Sequence, residues 1–556
     1  MPDKSEIIKL LTSIANLLEF HGENRFEVSA FRNGANVLRG LEKDINELVQ
    51  QKSLNSIKGI GKGLQSVIYD FYEKNKSEKY EELKNKTPEG IEEILRIRGL
   101  GPKKLRVLYD ELNITNIGEL EYACKENHLA LLKGFGNKTQ VNIQEQIDKL
   151  KIYSKFVLIN KAEEIYNEIA KVLSKLKHVK RFEATGELRR HLEIISSLEI
   201  VLLTPNINKF KSELEKEVKF DDENGKLELS TGFAISCLLH IVTTEIEYIS
   251  KLFETTGSKE FLKKIKFNLE KNKSDSEEEI FKKINTPFII PEMREELYFD
   301  QKKKKLQENS NLSMESFNGL LHFHTTYSDG RNSLEDMIKK VKEMGMEYAA
   351  VCDHSKSAFY ANGLNEDMVL RQKEEVAKVF GEIGIKVFHG IESDILQDGS
   401  LDYDDNFLGY FDFLVASVHS GFTLKEDAMT GRIINAIENL NTDVLGHPSG
   451  RLLLSREPYR FDHKKIIDAC AVNKVAIEIN ANPRRLDLDW RWIYYAREKG
   501  CLFTINADAH STNDFLYTEY GVKIARKGGL KEEEVINCYD LNSFKRFLQR
   551  KVKRVL

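Results

Sequence analysis

Nothing in the 556-residue sequence approaches the ~20 consecutive apolar residues that a membrane span needs. Its opening, MPDKSEIIKLL, also lacks a signal-peptide pattern. A soluble, cytoplasmic chain without a membrane partner is expected. The six cysteines (Cys124, Cys237, Cys352, Cys470, Cys501 and Cys538) are scattered and nowhere form CxxC, which excludes a zinc ribbon and argues against a disulfide frame. They read as reduced, mostly buried thiols. An excess of positive charge is missing too: 84 Lys and Arg against 88 Asp and Glu leave a net charge of −4. That excludes indiscriminate coating of nucleic acid but leaves local phosphate contacts open. What the chain does contain, 41% hydrophobic and 31% charged residues, is the composition of a globular protein. Its length exceeds what one core can serve and predicts several domains.

Residues 1–150 read as short amphipathic helices joined by glycine turns. Three turns resemble one another: Ile57-Lys58-Gly59-Ile60-Gly61-Lys62-Gly63, Ile97-Arg98-Gly99-Leu100-Gly101-Pro102-Lys103, and Leu132-Lys133-Gly134-Phe135-Gly136-Asn137-Lys138. Glycine lets a backbone approach phosphate closely, and the free N–H groups of a helix start can cradle it. Contacts of this kind hold DNA without reading its sequence. Residues 151–298 look mixed α/β, and 299–315, which include Lys302-Lys303-Lys304-Lys305, read as a solvated linker. From 316 to 556, apolar β-rich runs alternate with helical patterns, as in repeated βα units.

Seven strands are expected in this last region, ending near His324, His354, Glu392, His419, His447, Asn480 and Asp508. In a βα barrel the strand C-termini converge on one face. His322 and His324 form an H-x-H pair, and Asp508 and His510 repeat that spacing; alternation along a strand would place each pair on one side. With Asp329, His354, Glu392, His419 and His447 they make a cluster of imidazoles and carboxylates, suited to divalent Mn, Zn or Fe. Metal coordination lowers the pKa of water from 15.7 to roughly 7, and adjacent cations stabilise both oxygens of a phosphoryl displacement. Hydrolysis of a phosphodiester or phosphomonoester is the expected reaction. Arg451, Arg484 and Arg485 are candidates for non-bridging phosphate oxygens or for structural ion pairs.

These residues resemble the PHP (polymerase and histidinol phosphatase) domain. The resemblance implies a (β/α)7-type barrel and up to three cations. One would be held by His322, His324, Glu392 and Asp508, a second by Asp329, His354 and His510, and a third by His419 and His447 with Glu392 bridging. The runs Glu478-Ile479-Asn480-Ala481-Asn482-Pro483-Arg484-Arg485-Leu486-Asp487 and Asp508-Ala509-His510-Ser511 are close to the form found in bacterial family X DNA polymerases.

The rest of the chain resembles that family in the same order. The glycine turns resemble helix-hairpin-helix motifs, which implies DNA contacts at Gly59, Gly61, Lys62, Gly63, Gly99, Gly101, Lys103, Gly134, Gly136 and Lys138. Where relatives with lyase activity carry a Schiff-base lysine, this chain aligns Val67, which cannot form an imine. The run Gly186-Glu187-Leu188-Arg189-Arg190-His191-Leu192-Glu193 resembles the palm signature, Thr256-Gly257-Ser258 a following turn, and Pro291-Glu292-Met293-Arg294-Glu295 the end of the thumb. This implies a nucleotidyltransferase-like palm and thumb. Nucleotidyl transfer uses two hard cations held by three aspartates. Here Ser197, Glu199 and Leu238 stand at those positions, and Glu187 replaces the signature serine.

The expected protein is therefore a DNA-repair enzyme of a bacterial cytoplasm, a monomer acting on gapped or damaged duplex. Its hydrolytic site is expected to be a Mn²⁺-dependent 3′–5′ exonuclease and its palm a scaffold. The alternatives are a working gap-filling polymerase, a phosphatase of small phosphoesters, and a DNA-binding scaffold with a structural metal. The basic run from Lys545 to Arg554 is read as a solvated closing helix or a further backbone contact.

Overall fold

The computed structural model describes residues 4–41, 45–97, 99–125, 128–153, 155–223, 226–229, 235–300 and 308–551. Arg98 of the second glycine turn, residues 301–307 of the expected linker, and Val552, Lys553 and Arg554 of the basic run lie outside them. The chain divides into two units, Met1–Ser154 and Lys155–Leu556. No helix among the described residues is long and apolar enough to cross a membrane.

The first unit is all helical, with two hydrophobic cores. Helices Lys4–Phe20, Arg25–Arg39 and Lys62–Lys74 bury one apolar stripe each in the first core, around Leu11, Phe31, Leu38 and Ile68. Phe20, Ile94, Leu105, Leu108 and Ile143 gather in the second core.

The second unit opens with a two-stranded pair, β1 (Val157–Leu158) and β3 (Ile194–Ile195). A five-stranded sheet follows, built from β2 (Arg181–Thr185), β4 (Ser197–Leu203), β5 (Phe220–Glu223), β6 (Lys226–Leu229) and β7 (Ser236–Val242), in the order β2-β4-β7-β6-β5. Only β4 and β7 run parallel.

The barrel comprises β8 (Gly319–Phe323), β9 (Tyr348–Val351), β10 (Lys386–Asp394), β11 (Phe413–Ser417), β12 (Val444–Leu445), β13 (Ala476–Asn480) and β14 (Phe503–Asn506). All are parallel neighbours in sequence order. Runs such as YAAV, FLVAS and FTIN are buried at every position, as expected of strands covered on both faces. The ring is nearly closed by a parallel bridge between Phe323 and Ala509, where His324 N–H donates to Ala509 O at 2.8 Å. The helix Leu541–Leu548 packs Phe544 and Phe547 against Tyr348, Phe388 and Phe413, mostly at strand starts. The helix Leu541–Leu548, which carries the start of the basic run, is thus amphipathic, and its apolar face seals the barrel end opposite the strand C-termini.

Candidate metal centre

Glu392 lies within β10, and Asp329, His354, His419, His447, Asp508 and His510 stand on loops leaving β8, β9, β11, β12 and β14. His322 and His324 do share the site, with ring centroids 5.4 Å apart. Plain strand alternation is not what aims them. The register shifts between Leu320 and Phe323, and His322 has φ +51°, so a bulge turns its imidazole inward. Asp508 lies past the end of β14 at φ +52°, so a left-handed turn, not a strand, presents the Asp508-Ala509-His510 pair. His447 is also left-handed, at φ +23°. Strained non-glycine residues gather where the rest of the fold over-determines them.

Glu392 is central. Its carboxylate lies 2.9 Å from His447 Nε2, 3.0 Å from His354 Nδ1, 3.4 Å from His419 Nε2 and 3.5 Å from His322 Nε2. Asp508 lies 3.0 Å from His324 Nε2 and 3.7 Å from His322 Nε2. Asp329 lies 3.3 Å from His510 Nε2 and 3.6 Å from His354 Nε2. Three overlapping sets are compact enough for one cation each: His324, Asp329, His354 and His510; His322, His324 and Asp508; His354, Glu392 and His419. This grouping differs from the division the family pattern implies. His324 joins the set of Asp329, His354 and His510, and Glu392 is absent from the set of His322, His324 and Asp508. His354 rather than His447 completes the set of Glu392 and His419, with His447 reaching Glu392 from outside it. His322 and His324 are wholly buried, whereas the side chains of Asp329 and His510 are 31% and 33% exposed and form the mouth.

The donors fit a cation. Buried His322 Nε2, His324 Nδ1, His447 Nδ1 and one Glu392 oxygen have no hydrogen-bond partner. The far nitrogens of several rings are anchored by other groups. His322 Nδ1 meets Glu478 at 2.5 Å, His419 Nδ1 meets Asp394 at 2.6 Å, and His510 Nδ1 meets Asp508 O at 2.8 Å. Such anchors fix the tautomer and leave the other nitrogen's lone pair toward a metal. Burial opposes charge on these groups, but the opposite charges win. Glu478, Glu392 and Asp508 hold His322 well above its usual range, and Glu392 and Asp394 raise His419 to about 10. Despite burial, the neighbouring imidazoles hold Glu392 and Asp508 well below theirs. The site is a concentrated anionic pocket that competes for cations.

Sequence reasoning gave Glu478 and Asp394 no role, and it missed Asp353. The signal was available: Asp394 is two residues beyond Glu392, and Glu478 two before Asn480, on the same strand faces. Asp353 accepts from Thr325 N–H and Oγ1 at 2.7 Å each and from Ser328 Oγ at 2.5 Å, fixing the loop that carries Asp329.

Of the three arginines, Arg451 is buried and donates to Arg485 O at 2.9 Å, to Leu486 O and to Asp489 at 2.9 Å, so it is a structural residue. Arg485 stands beside the cluster, its Nε 3.8 Å from Asp508, and Arg484 is exposed.

The three glycine turns share one design. Gly59, Gly99 and Gly134 take φ +99°, +89° and +92°. Ile60, Leu100 and Phe135 are buried anchors, and Gly61, Gly101 and Gly136 open the following helices. Lys62, Lys103 and Lys138 are exposed at those helix starts, as is Gly63, while Val67 is buried.

In the five-stranded sheet, Ser197 Oγ accepts from Ser236 Oγ at 3.2 Å, Glu199 accepts from His240 Nε2 at 2.7 Å, and Leu238 is the register partner of Glu199. Glu187 accepts from Ser196 N–H at 2.6 Å, and Gly186, at φ +62°, packs under Glu199. Arg189 pairs with Glu277 at 2.9 Å and Arg190 with Glu295 at 2.9 Å. Among the described residues, the grouped metal-ligand sets lie in the barrel.

A model of the PHP domain matches residues 321–482, and a model of the helix-hairpin-helix domain matches residues 2–77. The DNA polymerase/3'-5' exonuclease PolX of Bacillus subtilis (strain 168) is 32% identical over 98% of this chain and 99% of its own length. Two proteins named probable phosphatases also match. That of Thermoanaerobacter sp. (strain X514) is 25% identical over 42% of this chain and 95% of its own length. That of Caldicellulosiruptor saccharolyticus is 27% identical over 42% of this chain and 97% of its own.

Proposed function

The chain belongs to the family X DNA polymerases that carry helix-hairpin-helix and PHP domains, and from that premise we propose that it acts mainly as a Mn²⁺-dependent 3′–5′ exonuclease, or phosphodiesterase, on gapped or damaged DNA in repair. The observation that carries this is a contrast within one unit. Nine imidazoles and carboxylates converge at the barrel mouth, while Ser197, Glu199 and Leu238 offer one carboxylate, already hydrogen-bonded to His240. The nine are His322, His324, Asp329, His354, Glu392, His419, His447, Asp508 and His510, and they would hold up to three cations. Zn²⁺ and Fe²⁺ are the other metals such donors accept.

Divalent cations bound there would supply acidified water and positive charge for the phosphoryl transition state. The protein's own residues do the rest. Glu478 and Asp394 orient His322 and His419, Asp353 holds the loop of Asp329, and Arg485 stands ready for a non-bridging oxygen. The hairpins hold the DNA backbone through N–H groups and lysines, without base contacts. One carboxylate cannot space two Mg²⁺ ions, and Glu187 puts negative charge where a triphosphate would lie, so the polymerase site is proposed to be inactive. The protein is proposed to work as a monomer in a reducing cytoplasm, consistent with its six free cysteines.

His322→Ala and Asp508→Ala proteins should lose Mn²⁺-dependent 3′ shortening of a 5′-labelled strand by orders of magnitude. Parent-like rates in both would overturn the reading. Gap-filling synthesis is a second reading, favoured by a full-length relative whose name includes DNA polymerase. It requires primer extension that Glu199→Ala abolishes.

A further inference from the structure

The palm-like region turns several of its acids toward the barrel, and one of them reaches the metal centre through a short chain of contacts. Glu193, the last residue of the Gly186–Glu193 run, is buried. Its carboxylate accepts from Trp490 Nε1 and Arg491 Nη1, each at 3.2 Å, and lies 3.5 Å from Arg451 Nη2. Arg451 follows His447-Pro448-Ser449-Gly450 on the loop leaving β12. It grips the next loop, leaving β13, at Arg485 O, Leu486 O and the Asp489 carboxylate. Asp487 of that loop accepts from Ser449 N–H at 3.0 Å, a second tie between the same two loops. At the end of the chain the Arg485 side chain, 18% exposed, stands 3.8 Å from Asp508.

A carboxylate taken out of water is costly unless cations and hydrogen bonds surround it. Here the surrounding donors are those that shape one strand-end loop. Resting on the hydrolytic reading above, we propose that Glu193 is a positioning residue for the barrel's metal centre. It fixes Arg451, and through it the 484–489 loop, so that Arg485 is held where it meets a non-bridging oxygen of the scissile phosphate. The palm-like region thereby contributes to hydrolysis in the neighbouring domain, which gives it a role independent of nucleotidyl transfer.

The test uses the full-length protein and a gapped duplex with a labelled 3′ end in Mn²⁺. Glu193→Gln keeps the volume and removes the charge; Glu193→Ala removes both. Each should lower kcat by about 10- to 100-fold, the range for supports of metal-site groups. KM for the duplex should stay unchanged, because the hairpins grip the DNA. Glu163→Gln loosens another contact between the same regions, to Tyr520 and Lys523, and should leave kcat unaltered. In an Arg485→Ala background, Glu193→Gln should add no further loss, because both changes act through one loop.

Parent-like kcat in the Glu193→Gln protein overturns the proposal, and that variant decides the matter if Glu193→Ala fails to fold. An equal loss in Glu163→Gln, or multiplied losses in the double variant, also overturns it by assigning the effect to general stability. A parent protein that leaves the 3′ end intact in Mn²⁺ instead defeats the hydrolytic reading itself, before any variant is compared.

Discussion

Asp394 and Glu478 touch no substrate, yet each fixes an imidazole at 2.6 Å or less. Asp394→Asn and Glu478→Gln should lower Mn²⁺ affinity or turnover by about 10- to 100-fold. Titration calorimetry and steady-state rates would check this, and parent values in both assays would remove these carboxylates from the account. A second residue-scale prediction concerns acid stability. Burial tends to raise the pKa of Glu277, but Arg294 and Arg189 outweigh it and bring it from 4.5 to about 2. A depressed carboxylate stabilises the fold fully above pH 4.5, and this contribution is lost as pH falls toward 2. Glu277→Gln should therefore cost stability at neutral pH, about 3–5 kcal/mol for a broken buried pair, and flatten the acid limb of a melting-temperature profile. At this scale the cluster residues were legible because His-x-His and Asp-x-His stand out at strand ends. The supporting carboxylates show in sequence only as acids sharing a strand face with Glu392 or Asn480, and that spacing does not reveal which imidazole each one meets.

The hairpins were the most legible elements. A glycine with φ near +90° is a backbone requirement that sequence displays directly, and each of the three copies puts an exposed lysine in the first turn of the following helix: Lys62, Lys103 and Lys138. If each lysine neutralises one phosphate, replacing it by Gln should reduce the salt slope of DNA binding by about 0.9. An unchanged slope in a triple variant would remove the hairpins from the interface. The barrel strands were legible as apolar runs. The bulge in β8 and the left-handed turn at Asp508 were not, because histidine and aspartate tolerate φ above zero better than most side chains but, unlike glycine, adopt it at few of their positions. The closing helix was read from its charges, while its packing depends on Phe544, stacked 4.6 Å from Tyr348. Phe544→Ala should cost about 3–5 kcal/mol in denaturant unfolding, whereas a solvated helix would lose almost nothing.

For the molecule as a whole, the order of regions could be read from sequence, but the partnership between the palm-like sheet and the barrel could not. Glu193, Glu292 and Glu295 look like remnants of polymerase signatures, and only the folded chain shows their side chains paired with Arg451, Arg526 and Lys527. The palm-like sheet and the barrel thus share one unit, and among the described residues the grouped metal-ligand sets lie in the barrel. The most direct test is one gapped duplex in which the strand whose 3′ end borders the gap is labelled at its 5′ end, incubated with the full-length protein and Mn²⁺, with and without four deoxynucleotides. Progressive shortening is expected in both reactions, abolished by Asp508→Ala and unaffected by Glu199→Ala. Extension of the labelled strand with nucleotides, lost in Glu199→Ala, would contradict this expectation.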